Sequence, residues 1–151
     1  MDSIDPQMAE RVWQRVRGTA PAGPDMQSLE ELIAQEWADG AVYQHLSRKF
    51  QGKDSALLRQ LAQQERAHVA CLKGIYTLML GAKPNIRTPP VPQASPEQLL
   101  RRCYNRELQS LAQYEARSSD PQYGQTFAHL ARQEREHSRI VLELLGKLKT
   151  P

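Results

Sequence analysis

The chain has 151 residues, 40% of them hydrophobic and 25% charged, which are the proportions of one folded domain rather than of a disordered chain. Twenty Lys and Arg stand against seventeen Asp and Glu, interleaved in sign, and the net charge of +3 lacks the basic stripe that a nucleic-acid surface requires. Two isolated cysteines, Cys71 and Cys103, exclude a disulfide-rich scaffold or a four-cysteine zinc or iron centre within these residues, and no apolar run approaches the ~18–20 residues of a membrane span.

The first segment, MDSIDPQMAERVWQ, carries acids where a secretion signal carries basic residues, so the cytoplasm is the expected compartment. A short helix is predicted from about Pro6 to Arg17, with Asp5 as N-cap. The run Gly18 to Pro24 ends it, dividing a short helix and linker over 1–25 from a main domain over 26–151. From Met26 to about Phe50 the pattern is helical and free of proline. Gln51-Gly52-Lys53 makes a turn, Asp54 or Ser55 is expected to cap the next helix, and that helix runs to about Leu80 with Gly81 as C-cap. Lys83 to Ser95 then holds four prolines. Adjacent antiparallel helices need only ~2–8 linking residues, whereas the fifteen over 81–95 can span ~45 Å, so this connector is predicted to cross the bundle from end to end. Ser95-Pro96-Glu97-Gln98 opens a third helix, which ends near Ser118–Pro121, and a fourth extends to about Lys147. Arg101, Arg102 and Arg106 read as a solvated face of the third helix. The fold class is all-α: four long helices after a short N-terminal one, with a long crossover between the second and third.

Carboxylates interrupt every apolar stripe. The first long helix reads Leu29, Ile33, Glu36, Gly40, Tyr43, Ser47, Phe50, and the second Leu58, Leu61, Glu65, His68, Leu72, Ile75, Met79. The third reads Leu100, Tyr104, Glu107, Leu111, Tyr114, and the fourth Phe127, Leu130, Glu134, His137, Val141, Leu144, Leu148. Each line sends one glutamate inward where a bundle core wants leucine, and two lines add a histidine one turn later. The turns bring these groups to one level. Glu36 and Glu65 stand 15 and 14 residues from Gln51, while Glu107 and Glu134 stand 13 and 14 from Asp120. At ~1.5 Å per residue both pairs lie roughly 20–22 Å from their own turns. The halves also repeat: Glu36 and Glu107 are each followed seven residues later by a tyrosine, Tyr43 and Tyr114, and Glu65-Arg-Ala-His68 matches Glu134-Arg-Glu-His137.

Four buried carboxylates cannot all stay ionised without compensation. Two divalent cations supply that charge, with both imidazoles bound neutral, and an i, i+3 Glu-His pair can reach one ion. Glu36, Glu65, His68, Glu107, Glu134 and His137 are therefore the candidate ligands, the donor set of di-iron and di-manganese helical bundles. Tyr43 and Tyr114 lie ~10 Å along the axis from their own glutamates and are placed to donate to a glutamate on a neighbouring helix. His45 and His129 lack an acid three residues earlier and read as polar surface groups. Cys71 and Cys103 read as small buried hydrophobes. Trp37, off the stripe, reads as a packing or dimer-contact residue, which would suit a homodimer.

With these residues in place the chain resembles the ferritin-like superfamily, and within it the rubrerythrin-type di-iron proteins, over about Met26 to Lys147. The resemblance implies a ferritin-like bundle, two iron ions or alternatively manganese, Glu65 and Glu134 as bridging carboxylates, and oxidation of ferrous iron by dioxygen or hydrogen peroxide. It leaves the electron donor unnamed. The chain departs from rubrerythrins in having too few cysteines for a rubredoxin-like domain, and in carrying Ser110 where many have a further glutamate. Ferroxidation without turnover of a second substrate, and hydroxylation of an organic substrate, are the alternative activities.

Overall fold

The computed structural model describes residues 26–149, so the short helix expected over Pro6–Arg17 lies outside the described residues. Four helices follow: α1 (Leu29–Ser47), α2 (Gly52–Leu80), α3 (Pro96–Ala116) and α4 (Gly124–Lys149). Among the described residues there is no strand.

The helix ends obey local chemistry, with one departure. Ser28 Oγ caps α1 by accepting from the Glu31 amide at 3.1 Å. Ser95 and Gln98 form a reciprocal capping box behind Pro96. Gly81 ends α2 in the left-handed conformation, φ 68°, which glycine adopts without a Cβ penalty. The departure is the start of α2. Neither Asp54 nor Ser55 caps it; the helix begins at Gly52 after an extended Gln51 that makes no side-chain cap. Gly52 turns the chain with φ 58°, and Ser55 Oγ instead donates to the Ser47 carbonyl at 2.7 Å, stitching α2 to the end of α1. The expected first helix is also trimmed, ending at Ser47 rather than near Phe50.

α1 packs along α2, and α3 along α4, as two hairpins; the hairpins meet through α1 with α3 and α2 with α4. Gln27 bonds Gln113 while Tyr43 bonds Glu107, so α1 and α3 run antiparallel. Lys147 pairs with Asp54 and His137 with Gln64, so α2 and α4 are antiparallel as well. α2 therefore ends at the opposite end of the bundle from the start of α3. The connector covers that distance, with Ile86 packed on one apolar cluster and Val91 on the other.

Those clusters fill the two halves of the bundle. Tyr43, Leu46, Leu58, Leu61, Leu100 and Leu144 are among the residues of one, and Leu32, Ile33, Leu72, Tyr114, Phe127 and Leu130 of the other. Between them, at the middle of every helix, lie Glu36, Glu65, Glu107 and Glu134, all fully buried. The predicted stripes of α1, α2 and α4 follow the core except at their ends, whereas on α3 the buried line runs through Cys103 and Ser110 and leaves Tyr104 and Leu111 half-buried. Met79 is 54% exposed and Leu148 is 43% exposed. Each reaches past the first turn of the helix it faces, since α1 begins only at Leu29 and α3 only at Pro96.

Candidate metal centre

The middle layer is built by register. An i, i+3 step keeps Glu65 and His68 on the inward face of α2, and Glu134 and His137 on that of α4. The two imidazoles lie nearly parallel, ring centroids 5.6 Å apart. Around them are two overlapping donor sets, each with ligand atoms within 4.8 Å of one another: Glu36, Glu65, His68 and Glu134, and then Glu65, Glu107, Glu134 and His137. All six residues named by the sequence fall in these sets. Glu65 and Glu134 belong to both.

The contacts show how tightly the donors converge. His68 Nδ1 is 2.9 Å from Glu36 Oε2 and 2.7 Å from Glu134 Oε1, and His137 Nδ1 is 2.7 Å from Glu65 Oε1. The Glu134 contact is close in distance but off the hydrogen-bond direction, so neither Glu134 oxygen has a hydrogen bond; nor do Glu36 Oε1, Glu65 Oε2 or Glu107 Oε2. Buried carboxylate oxygens without donors are costly. Two divalent cations fit this arrangement, since each set offers carboxylate oxygens and one imidazole nitrogen.

Protonation in the absence of cations follows from crowding. Burial pushes Glu65 and Glu134 well above the usual carboxylate range, and the neighbouring carboxylates push them further. Burial works in the same sense on Glu36, but the adjoining Glu65 carboxyl and the bond and charge of His68 outweigh it and bring Glu36 down to about 2. Burial disfavours the His68 imidazolium, yet the bond and charge of Glu36 win and its pKa is raised. Without cations, proton uptake by Glu65, Glu134 and His68 is thus favoured in the layer.

Residues beyond the predicted ligands complete the centre. His68 Nε2 donates to Gln133 Oε1 at 2.6 Å, and His137 Nε2 donates to Gln64 Oε1 at 2.5 Å. With the Nε2 proton held there, Nδ1 faces the donor sets, and a ring made neutral would offer its Nδ1 lone pair inward, as a ligand must. Each glutamine immediately precedes a shared glutamate on the opposite helix. The repeat is therefore Gln-Glu-Arg-x-His, at Gln64–His68 and Gln133–His137, one residue longer than the Glu-x-x-His pairs first suggest. Tyr43 donates to Glu107 Oε1 at 2.5 Å across the α1–α3 contact. Tyr114 is fully buried; its hydroxyl lies near enough to Glu36 to favour that carboxylate, but it makes no hydrogen bond of ordinary geometry.

Asp39, one turn after Glu36, is also buried and bonds Arg106. Arg106 is thereby drawn from the solvated face expected of it, while Arg101 stays exposed and pairs with Glu97. Burial holds the Asp39 carboxyl well above its usual range despite that guanidinium. The equivalent position in the other half, Ser110, is buried but uncharged, so the symmetry of the two halves fails one turn from the ligands. Cys103 is buried and Cys71 half-buried; His129 is exposed, whereas His45 is half-buried. No described helix is long and apolar enough to cross a membrane. No protein-family model, curated protein or solved structure matches this chain.

Proposed function

We propose that the protein is a ferritin-like, rubrerythrin-type di-metal oxidoreductase that holds two iron ions, or alternatively manganese, and oxidises ferrous iron with dioxygen or hydrogen peroxide. The observation that carries this reading is the pair of four-residue donor sets sharing Glu65 and Glu134 between the two apolar clusters of the bundle. Four carboxylates balance two divalent ions, and a structural role alone would be met more cheaply by leucine. When bound, the ions supply one-electron redox chemistry and Lewis acidity.

The chain's own residues then have separable tasks. Glu65 and Glu134 belong to both donor sets, so they could serve two ions at once. Glu36 and Glu107 each belong to one set and would each hold one ion. Gln64 and Gln133 hold the imidazole protons at Nε2. The Tyr43 hydroxyl holds Glu107 in place. The apolar clusters above and below keep bulk water from the layer.

The test is metal analysis after anaerobic addition of ferrous iron, followed by exposure to dioxygen or peroxide. Two ions per chain and rapid oxidation of the bound iron are expected; one ion or none would reject the reading. Repeated peroxide consumption with a supplied reductant marks a peroxidase, and a single round of iron oxidation marks a ferroxidase.

A further inference from the structure

We propose that the groove between the outer faces of α1 and α2 binds a small anionic redox carrier with a flat apolar body, of the flavin mononucleotide class, and that this carrier delivers electrons to the buried centre. The electron-delivery part rests on the di-metal reading above; binding does not. The groove encloses about 600 Å³, within the roughly 300–1,000 Å³ typical of small-molecule sites. Its floor is made of small and apolar side chains, Gly40, Ala41, Val69 and Ala70, with Val91 of the connector at its margin. The charged groups that line it are Arg48, Arg66 and Lys73, with no carboxylate among the described lining residues. Three cations over an apolar floor complement a phosphate or carboxylate attached to an apolar ring system. Trp37 adds an aromatic wall, 45% exposed, with Lys73 Nζ lying 4.4 Å from its ring centroid.

The groove also runs along the two helices that carry Glu36, Glu65 and His68. A Cβ placed on Gly40 would come within 3.3 Å of the Glu65 Cβ, so at this lining residue α1 lies close against the stretch of α2 that carries Glu65, a member of both donor sets. Trp37 follows Glu36 directly in the chain. A carrier lying in the groove is therefore separated from the ligand layer by one helix wall. The electron balance is simple: the reduced carrier loses two electrons and two protons, one electron passes to each metal ion, and the protons go to solvent.

The experiment has two arms. In the first, Trp13→Phe protein leaves Trp37 as the remaining tryptophan, and its fluorescence is titrated with flavin mononucleotide, using metal-free protein. Saturable quenching is expected, weakened about tenfold or more in Arg66→Glu/Lys73→Glu and with uncharged riboflavin. Equal binding of both flavins, or an unaffected double variant, would overturn the groove. So would a dimer that the double variant dissociates with no flavin bound, since the groove would then be a subunit interface. In the second arm, reduced flavin mononucleotide is mixed anaerobically with oxidised, iron-loaded protein. Oxidation of the flavin that slows about tenfold in the double variant is expected; a bound flavin that stays reduced beside two confirmed iron ions would overturn electron delivery. Failure of iron loading itself, with flavin binding intact in the first arm, would reject the metal reading and electron delivery with it, leaving only the binding groove.

Discussion

Glu65 and Glu134 carry more of the centre than Glu36 and Glu107, because each belongs to both donor sets while the others belong to one. Glu65→Ala should therefore lose both ions, and Glu36→Ala should retain one at reduced affinity. Glu31→Ala, at an exposed site in the first turn of α1, should load like the parent. Metal analysis after dialysis against ferrous iron checks all three, and equal loading of Glu65→Ala and Glu31→Ala would show the ligand layer to be elsewhere. The glutamines give a second test. Gln64→Leu removes the acceptor for His137 Nε2 but no ligand, so metal affinity should fall by about 10–100-fold without abolishing the site. A chelator competition would measure it. The ligands were readable in the sequence because a glutamate on an apolar stripe is anomalous by itself. Gln64 and Gln133 lie beside the stripe, where glutamine is ordinary; only the one-residue extension of the repeat points to them.

At the scale of elements, the caps and turns set the register that brings the ligands together. Ser95 makes both bonds of a capping box at the end of the crossover, so Ser95→Ala should cost about 1 kcal/mol and lower the melting temperature by about 2–4 °C. Gly124 is more restrictive: a Cβ there would approach the Ser118 carbonyl oxygen to 2.4 Å, which the α3–α4 turn cannot relieve without moving backbone. Gly124→Ala should therefore destabilise more than Ser95→Ala, and denaturant unfolding of the two variants compares them directly. Helix existence, the crossover and the Ser95 cap were legible because proline, glycine and capping residues act locally. The α2 start was not, since Asp54 and Ser55 have the composition of caps but are spent on Lys147 and on the Ser47 carbonyl. Met79 and Leu148 fit their stripes equally well. Their exposure depends on where the facing helices begin, which a stripe on one helix does not encode.

For the whole molecule, the polar layer makes stability depend on both metal and pH, and the signs can be derived. Glu65 and Glu134 have folded pKa values raised above their unfolded ones, so the metal-free native state binds more protons than the unfolded chain and loses stability as pH rises from about 4.5. His68, also raised, contributes stability that is present below about 6.5 and is lost as pH climbs through its folded value. Glu36 acts oppositely, but only between about 4.5 and 2. Between pH 5 and 7.5 the metal-free protein should therefore melt at a lower temperature as pH rises. Bound ions reverse the trend, because they need ionised carboxylates and a deprotonated imidazole nitrogen. At a hundredfold excess over the dissociation constant, each independent site adds about 2.7 kcal/mol. Two sites at about 2–4 °C per kcal/mol raise the melting temperature by roughly 10–20 °C at pH 7.5. The difference should narrow at pH 5. Melts of metal-free and iron-loaded protein at the two pH values check this; coincident curves at pH 7.5, with loading confirmed, would place the ions outside the four-helix layer.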